Sequence, residues 1–162
     1  GVPVDRMVAN CDTISICLSK GLGAPVGSLL VGDEEIIENA HRWRKMFGGG
    51  MRQAGIIASA GIYSLQNNID RLSEDHARIR SLAEAIGALD SFSIDMETVQ
   101  TNMVYINVDE EKFSADDVVS ELAKKGIDLF STGPQNLRAV AHLDVDDEDI
   151  KQTISVFQSL SH

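Results

Sequence analysis

A lysine set between two short apolar runs is the feature that most constrains this chain. Residues 13–18 (TISICL) mix β-branched and apolar side chains without alternation, as a strand buried on both faces would. Residues 27–31 (GSLLV) form a second such run. Between them, SKGLGAP holds Gly21, Gly23 and Pro25, which interrupt regular structure and let another group approach the backbone closely. Lys20 therefore leaves a strand end at a glycine-rich turn, where the ligands of open α/β sheets collect. Two fates are open to it. It is either a solvated loop lysine, or an amine that captures a carbonyl, which a partly desolvated pocket promotes by disfavouring the ammonium. A nucleotide-binding phosphate loop is excluded, because that pattern needs a lysine after its last glycine, followed by Ser or Thr. Here Lys20 precedes Gly21, and GGGM contains no lysine.

Helical periodicity takes over next. Asp33 is placed to cap a helix in which Ile36, Ile37, Ala40, Trp43 and Phe47 recur at helical spacing, with acids in the first turn and bases in the last. Gly48, Gly49 and Gly50 stop it. One longer helix is expected to follow, carrying Ile56, Ala60, Tyr63, Ile69, Leu72, His76, Ile79, Leu82 and Ile86 along one side and linking two domains. After Ala88 the pattern changes. Strands are expected over 91–96, 103–108, 128–130 and 137–141, with helices capped by Ser114 and Asp146 and a helix stop at Gly126. The outcome is a small α+β unit.

Charge narrows the partners. Of 162 residues, 14 are Lys or Arg and 25 are Asp or Glu, for a formal charge of −11, so no global positive field attracts nucleic acid or an anionic membrane. No apolar run approaches the roughly 18 to 20 residues of a membrane span, and the opening residues lack the regions of a signal peptide. A cytoplasmic protein is expected. Cys11 and Cys17 form neither a CxxC pair nor a metal motif and are expected as reduced core thiols. The chain opens on Gly1 within what resembles the middle of a domain, so truncation is expected as well.

Against this acidic background, HRWRKMFGGGMRQ gathers Arg42, Arg44, Lys45 and Arg52. The cluster either neutralises Glu34, Glu35 and Glu38 on a solvated face or attends an anion. Helical spacing keeps Arg42 away from the side shared by His41 and Lys45. Arg52 is the stronger candidate, because it follows three glycines at a helix start, where free N–H groups and a guanidinium can converge on a phosphate or carboxylate. Arg138, within QNLRAVAHLDV, belongs to a strand and is expected to need an acidic partner. A structural ion pair and a clamp on a substrate carboxylate remain equally open for it. His142 would share its face as a core or supporting histidine.

Taken together, LSKGLGAPVGSLLVG, RWRKMFGGGMRQAG, SEDH at 73–76, TNMVYINV and LRAVAHLDV resemble successive blocks of the low-specificity threonine aldolases, over essentially the whole chain. The resemblance implies an α/β fold of the aspartate-aminotransferase type. Residues 1–88 would be the C-terminal part of the cofactor-binding large domain with the long linking helix, and residues 89–162 a small α+β C-terminal domain. It further implies a homotetramer with pyridoxal 5'-phosphate in each site, cleaving L-threonine or L-allo-threonine to glycine and acetaldehyde. By the matching blocks, Lys20 forms the Schiff base with the cofactor, Lys45 and Arg52 are cations lining the cofactor site, and Arg138 binds the substrate carboxylate. No metal is implied. Family members also carry, upstream of the region matched here, a loop gripping the cofactor phosphate, a ring-stacking histidine and an aspartate paired with the pyridine nitrogen; none has a counterpart in this chain. A missing N-terminal half is therefore expected as a partner. Two alternatives share the sequence features: a pyridoxal-phosphate-dependent β-eliminating lyase, and a non-catalytic truncated assembly module.

Overall fold

The computed structural model describes residues 2–161. The chain divides into two compact units, Gly1–Ile69 and Asp70–His162. The change of pattern expected at 88/89 lies inside the second of these.

The first unit holds α1 (Val4–Met7), β1 (Thr13–Cys17), β2 (Ser28–Gly32), α2 (Glu34–Met46) and α3 (Gly55–Asn67). β1 and β2 pair antiparallel from Thr13↔Gly32 to Cys17↔Ser28. Both runs are strands, as their β-branched content predicts, but burial on both faces does not hold within this chain. Ile16, Leu29, Leu30 and Val31 are exposed, because among the described residues the sheet has two strands and little besides α2 covers it. α2 follows the extended residue Asp33, which makes no side-chain capping bond; it buries none of its residues, and Trp43 stacks on Phe47 at 5.8 Å. The cysteines are not core residues: Cys11 is exposed and Cys17 half-buried, both free.

The single long helix expected over 56–86 is two. α3 ends where the backbone N–H of Asn68 donates to the Ser64 carbonyl at 2.9 Å, and α4 begins at Leu72. Apolar periodicity runs on through the break, but short polar side chains compete there for the backbone. Asn67 Nδ2 donates to the Tyr63 carbonyl, and Ser73 Oγ to the Asp70 carbonyl.

The second unit comprises α4 (Leu72–Gly87), β3 (Phe92–Ser93), β4 (Met103–Val108), α5 (Ala115–Ala123), β5 (Phe130–Gly133), β6 (Asn136–Val140) and α6 (Asp147–Leu160). Its sheet is antiparallel in the order β3-β4-β6-β5. Alternation assigns its two faces. Val104, Ile106, Val108, Leu137 and Ala139 point to one side and meet Ile79, Leu82, Ile86, Val118, Leu122 and Phe157 from the helices. Phe157 meets Phe92 edge-on at 5.0 Å. The other side of the sheet carries Tyr105, Arg138 and Phe130. Both helix starts foreseen from sequence are closed capping boxes, Ser114 with Asp117 and Asp146 with Asp149. Gly126, at φ +76°, ends the α5 turn in a conformation that favours glycine.

Candidate functional site

Lys20 stands just past the end of β1, on a turn whose backbone is held at several points. The Leu18 N–H donates to the Gly27 carbonyl at 3.0 Å, the Ala24 N–H to the Leu18 carbonyl at 3.0 Å, and the Gly23 N–H to the Lys20 carbonyl at 2.8 Å. Buried Asn68 donates its amide to the Leu22 carbonyl at 2.8 Å. Leu18, Leu22 and Ala24 are buried, and Leu18 Cδ1 lies only 3.0 Å from where a Cβ on Gly61 would stand, so α3 passes close to the turn at this glycine. The turn is thus anchored from β2 and α3 while the lysine it presents stays exposed. Among the described residues Lys20 pairs with no carboxylate. Beside it, Cys17 Sγ lies 3.5 Å from Ser19 Oγ, and bonding to the Ser19 hydroxyl and then its backbone holds the thiol below its ordinary range.

The basic segment after α2 is shaped by its glycines. The Gly49 N–H donates to the Arg44 carbonyl at 2.8 Å, folding the chain back on the last helical turn. A Cβ on Gly50 would lie 2.7 Å from Lys45 Cδ, so the lysine stem rests directly against this glycine. Arg44 Nη2 lies 2.9 Å from His41 Nε2. None of Arg42, Arg44, Lys45 and Arg52 pairs with Glu34, Glu35 or Glu38 within ion-pair distance among the described residues, and all four cations are exposed. Gln53, next to Arg52, has φ +53°, the one positive value among described non-glycine residues. Such backbone strain tends to accumulate at functional sites. A cleft of about 250 Å³ opens between these segments, lined by Leu18, Gly27, Ser28, Arg44, Met51 and Ile57. Arg44 lines it; Lys20, Lys45 and Arg52 do not.

In the second unit, Arg138 sits mid-strand on β6, directly across from Tyr105 on β4 and Phe130 on β5. The acidic partner expected for it is absent among the described residues. Its guanidinium carbon instead stands 5.6 Å from the centre of the Phe130 ring, and its buried Nε has no hydrogen-bond partner. His142 is neither core nor strand. It lies beyond β6, half exposed, accepting the Asp144 N–H at 3.3 Å and lying 3.8 Å from that carboxylate. Sequence reasoning missed Asp75, which is 0% exposed, bonded to Arg71 at 2.6 Å and 3.5 Å from Arg78. Arg78 in turn reaches Asp147 at 2.7 Å. The i, i+3 and i, i+4 spacing of Arg71, Asp75 and Arg78 was the available signal.

Known proteins place this arrangement. Sphingomonas wittichii serine palmitoyltransferase superimposes with a TM-score of 0.74 at 18% identity, over 94% of this chain and 40% of that one. The chain therefore has the aspartate-aminotransferase-like α/β fold, present as part of a large domain followed by a small α+β one. A family model described as beta-eliminating lyase matches residues 1–109, and the chain belongs to that family. Its curated relatives include the low specificity L-threonine aldolase of Escherichia coli K12, 45% identical over 94% of this chain and 44% of the relative, and a probable low-specificity L-threonine aldolase 2 of Arabidopsis thaliana, 37% identical over 100% and 46%. The chain thus spans less than half the length of these relatives.

Proposed function

We propose that this chain is part of a pyridoxal-phosphate-dependent aldehyde-lyase that cleaves L-threonine or L-allo-threonine to glycine and acetaldehyde, with Lys20 as the residue that forms the Schiff base with the cofactor. The observation that carries this reading is the Lys20 turn, which is anchored by Gly27 before β2 and Asn68 after α3 and presents an amine with no carboxylate partner among the described residues. An ion-paired ammonium would resist losing the proton that carbonyl capture requires. The residues suit the cofactor: a primary amine for its aldehyde, and, in Lys45 and Arg52, cations that pair with no acid among the described residues for its phosphate.

Pyridoxal phosphate, when bound, would supply a conjugated electron sink for the electron pair of a breaking Cα–Cβ bond. Lys20 would hold it through the side-chain amine. Lys45 and Arg52 offset phosphate charge. Arg138 holds the substrate carboxylate through paired N–H donors and so sets the orientation of the breaking bond. In the same reading the protein works in the cytoplasm, as a homotetramer or with a missing N-terminal half as its partner, and serves threonine breakdown and glycine formation; no helix among the described residues is long and apolar enough to cross a membrane.

Borohydride reduction of the cofactor-loaded full-length protein, followed by peptide mass mapping, is expected to place the cofactor on Lys20. An unmodified Lys20 refutes the assignment. The family description favours one second reading, β-elimination, with largely shared residues. Acetaldehyde released from threonine supports the aldolase; pyruvate as the sole product overturns it.

A further inference from the structure

We infer that Phe130 is a positioning residue, orienting Arg138 toward an incoming carboxylate without neutralising it. The inference rests on the reading of Arg138 given above. Three strands build the arrangement: the register sets Tyr105, Arg138 and Phe130 in one row across β4, β6 and β5, on the face opposite the core. A mid-strand arginine has to be held in place by something. A carboxylate brace would occupy its N–H donors and cancel its charge, competing with any anionic ligand. An aromatic face attracts the cation through its quadrupole and takes none of those donors. Here the ring centre lies 5.6 Å from the guanidinium carbon, and no carboxylate among the described residues lies within ion-pair distance.

The second observation concerns Nε of Arg138, which is buried and unpartnered. A buried donor without an acceptor is costly. An acceptor oxygen delivered by a ligand removes that cost, and a carboxylate does so with charge assistance. The brace and the vacant donor together describe an arginine kept ready for an anion. Phe130 is itself 65% exposed on an edge strand, so shortening it opens no core.

The test uses the full-length holoenzyme with L-threonine. Phe130→Leu is expected to raise KM about threefold with kcat within about twofold, the loss of one largely exposed cation–π contact. Phe130→Tyr, which keeps the ring face, should restore KM. Phe130→Glu should weaken binding further, although it offers the arginine an ion-pair partner. The inhibition constant of acetate, a carboxylate without the amino group, should rise in Phe130→Leu by the same factor as KM. Arg138→Lys is the control for the underlying assignment: if KM is unchanged there, the carboxylate role of Arg138 is wrong. If Arg138→Lys raises KM and Phe130→Leu does not, the brace alone is overturned. Tighter acetate binding by Phe130→Glu, or a Phe130→Leu effect that Phe130→Tyr fails to reverse, also overturns it.

Discussion

Replacing Asp75 with Ala tests the charge network of α4 most directly. The carboxylate is fully buried, bonded to Arg71 at 2.6 Å and 3.5 Å from Arg78, and its Oδ2 and the Nη1 of Arg71 have no partners. Removing one partner of a buried ion pair costs about 3–5 kcal/mol, because the other charge is left uncompensated. Two features lower that figure here. Arg78 retains Asp147 at 2.7 Å, and the side chain of Arg71 is 15% exposed and can turn toward water. The expected loss is therefore about 3 kcal/mol, the lower end of the range. Urea unfolding of the full-length protein measures it. The double variant Arg71→Met with Asp75→Leu should recover at least about 2 kcal/mol, since apolar replacement of a whole buried pair is often neutral or stabilising. A loss below about 1 kcal/mol for Asp75→Ala, or a double variant no more stable than the single one, would refute the account of Asp75 as a charge whose burial depends on its arginines.

Two further outcomes follow from local geometry. Gly50→Ala should cost under about 1 kcal/mol, because the atom it meets belongs to a flexible stem, yet displace Lys45 and weaken cofactor affinity severalfold by spectral titration; Gly48→Ala, at φ +82° with open space around it, should show the reverse, about 1–2 kcal/mol of strain with affinity unchanged. Asp117 and Asp146 are both held below the usual carboxylate range, Asp117 chiefly by the Ser114 hydroxyl and Asp146 chiefly by the Asp149 N–H. Their stabilisation is thus complete above the unfolded value of about 3.9 and disappears as pH falls through the depressed folded values, so unfolding free energies of the wild type and of Asp117→Asn with Asp146→Asn should converge on acidification. A gap that stays constant from neutral pH to about pH 2 would show the carboxylate charge to be irrelevant.

The second unit was largely legible from sequence, because its signals are local. Ser114, Gly126 and Asp146 mark helix ends through capping chemistry that acts within one turn, and residues 103–108 alternate as a one-sided strand must. The break at residues 68–71 was not legible, since Ile69 and Leu72 continue the apolar period, and the amide that ties Asn68 to Leu22 spans 46 positions. The partner of Arg138 was missed for a related reason. Strand composition locates an arginine on a face but says nothing about which residue of a neighbouring strand lies beside it. Lys20 and Arg52 stood out by their places beside glycines, but their surroundings left a solvated loop and an ordinary basic helix end open; block resemblance supplied their roles and that of Lys45.

The irregularity in the β5–β6 ladder decides which residue lies beside Arg138. Pairing runs Gly133↔Asn136, then Ser131↔Leu137 and Phe130↔Arg138, so Thr132 is skipped. An unbroken ladder from the same turn would set Ser131 opposite the arginine and send Phe130 toward the helices, because each one-residue slip reverses the facing of a strand. One extra residue in a hairpin therefore selects between an aromatic and a hydroxyl neighbour for the same guanidinium. The skipped residue thereby keeps Leu129 packed against the core and its neighbour Phe130 on the arginine's face, so one irregularity serves both sides of the strand.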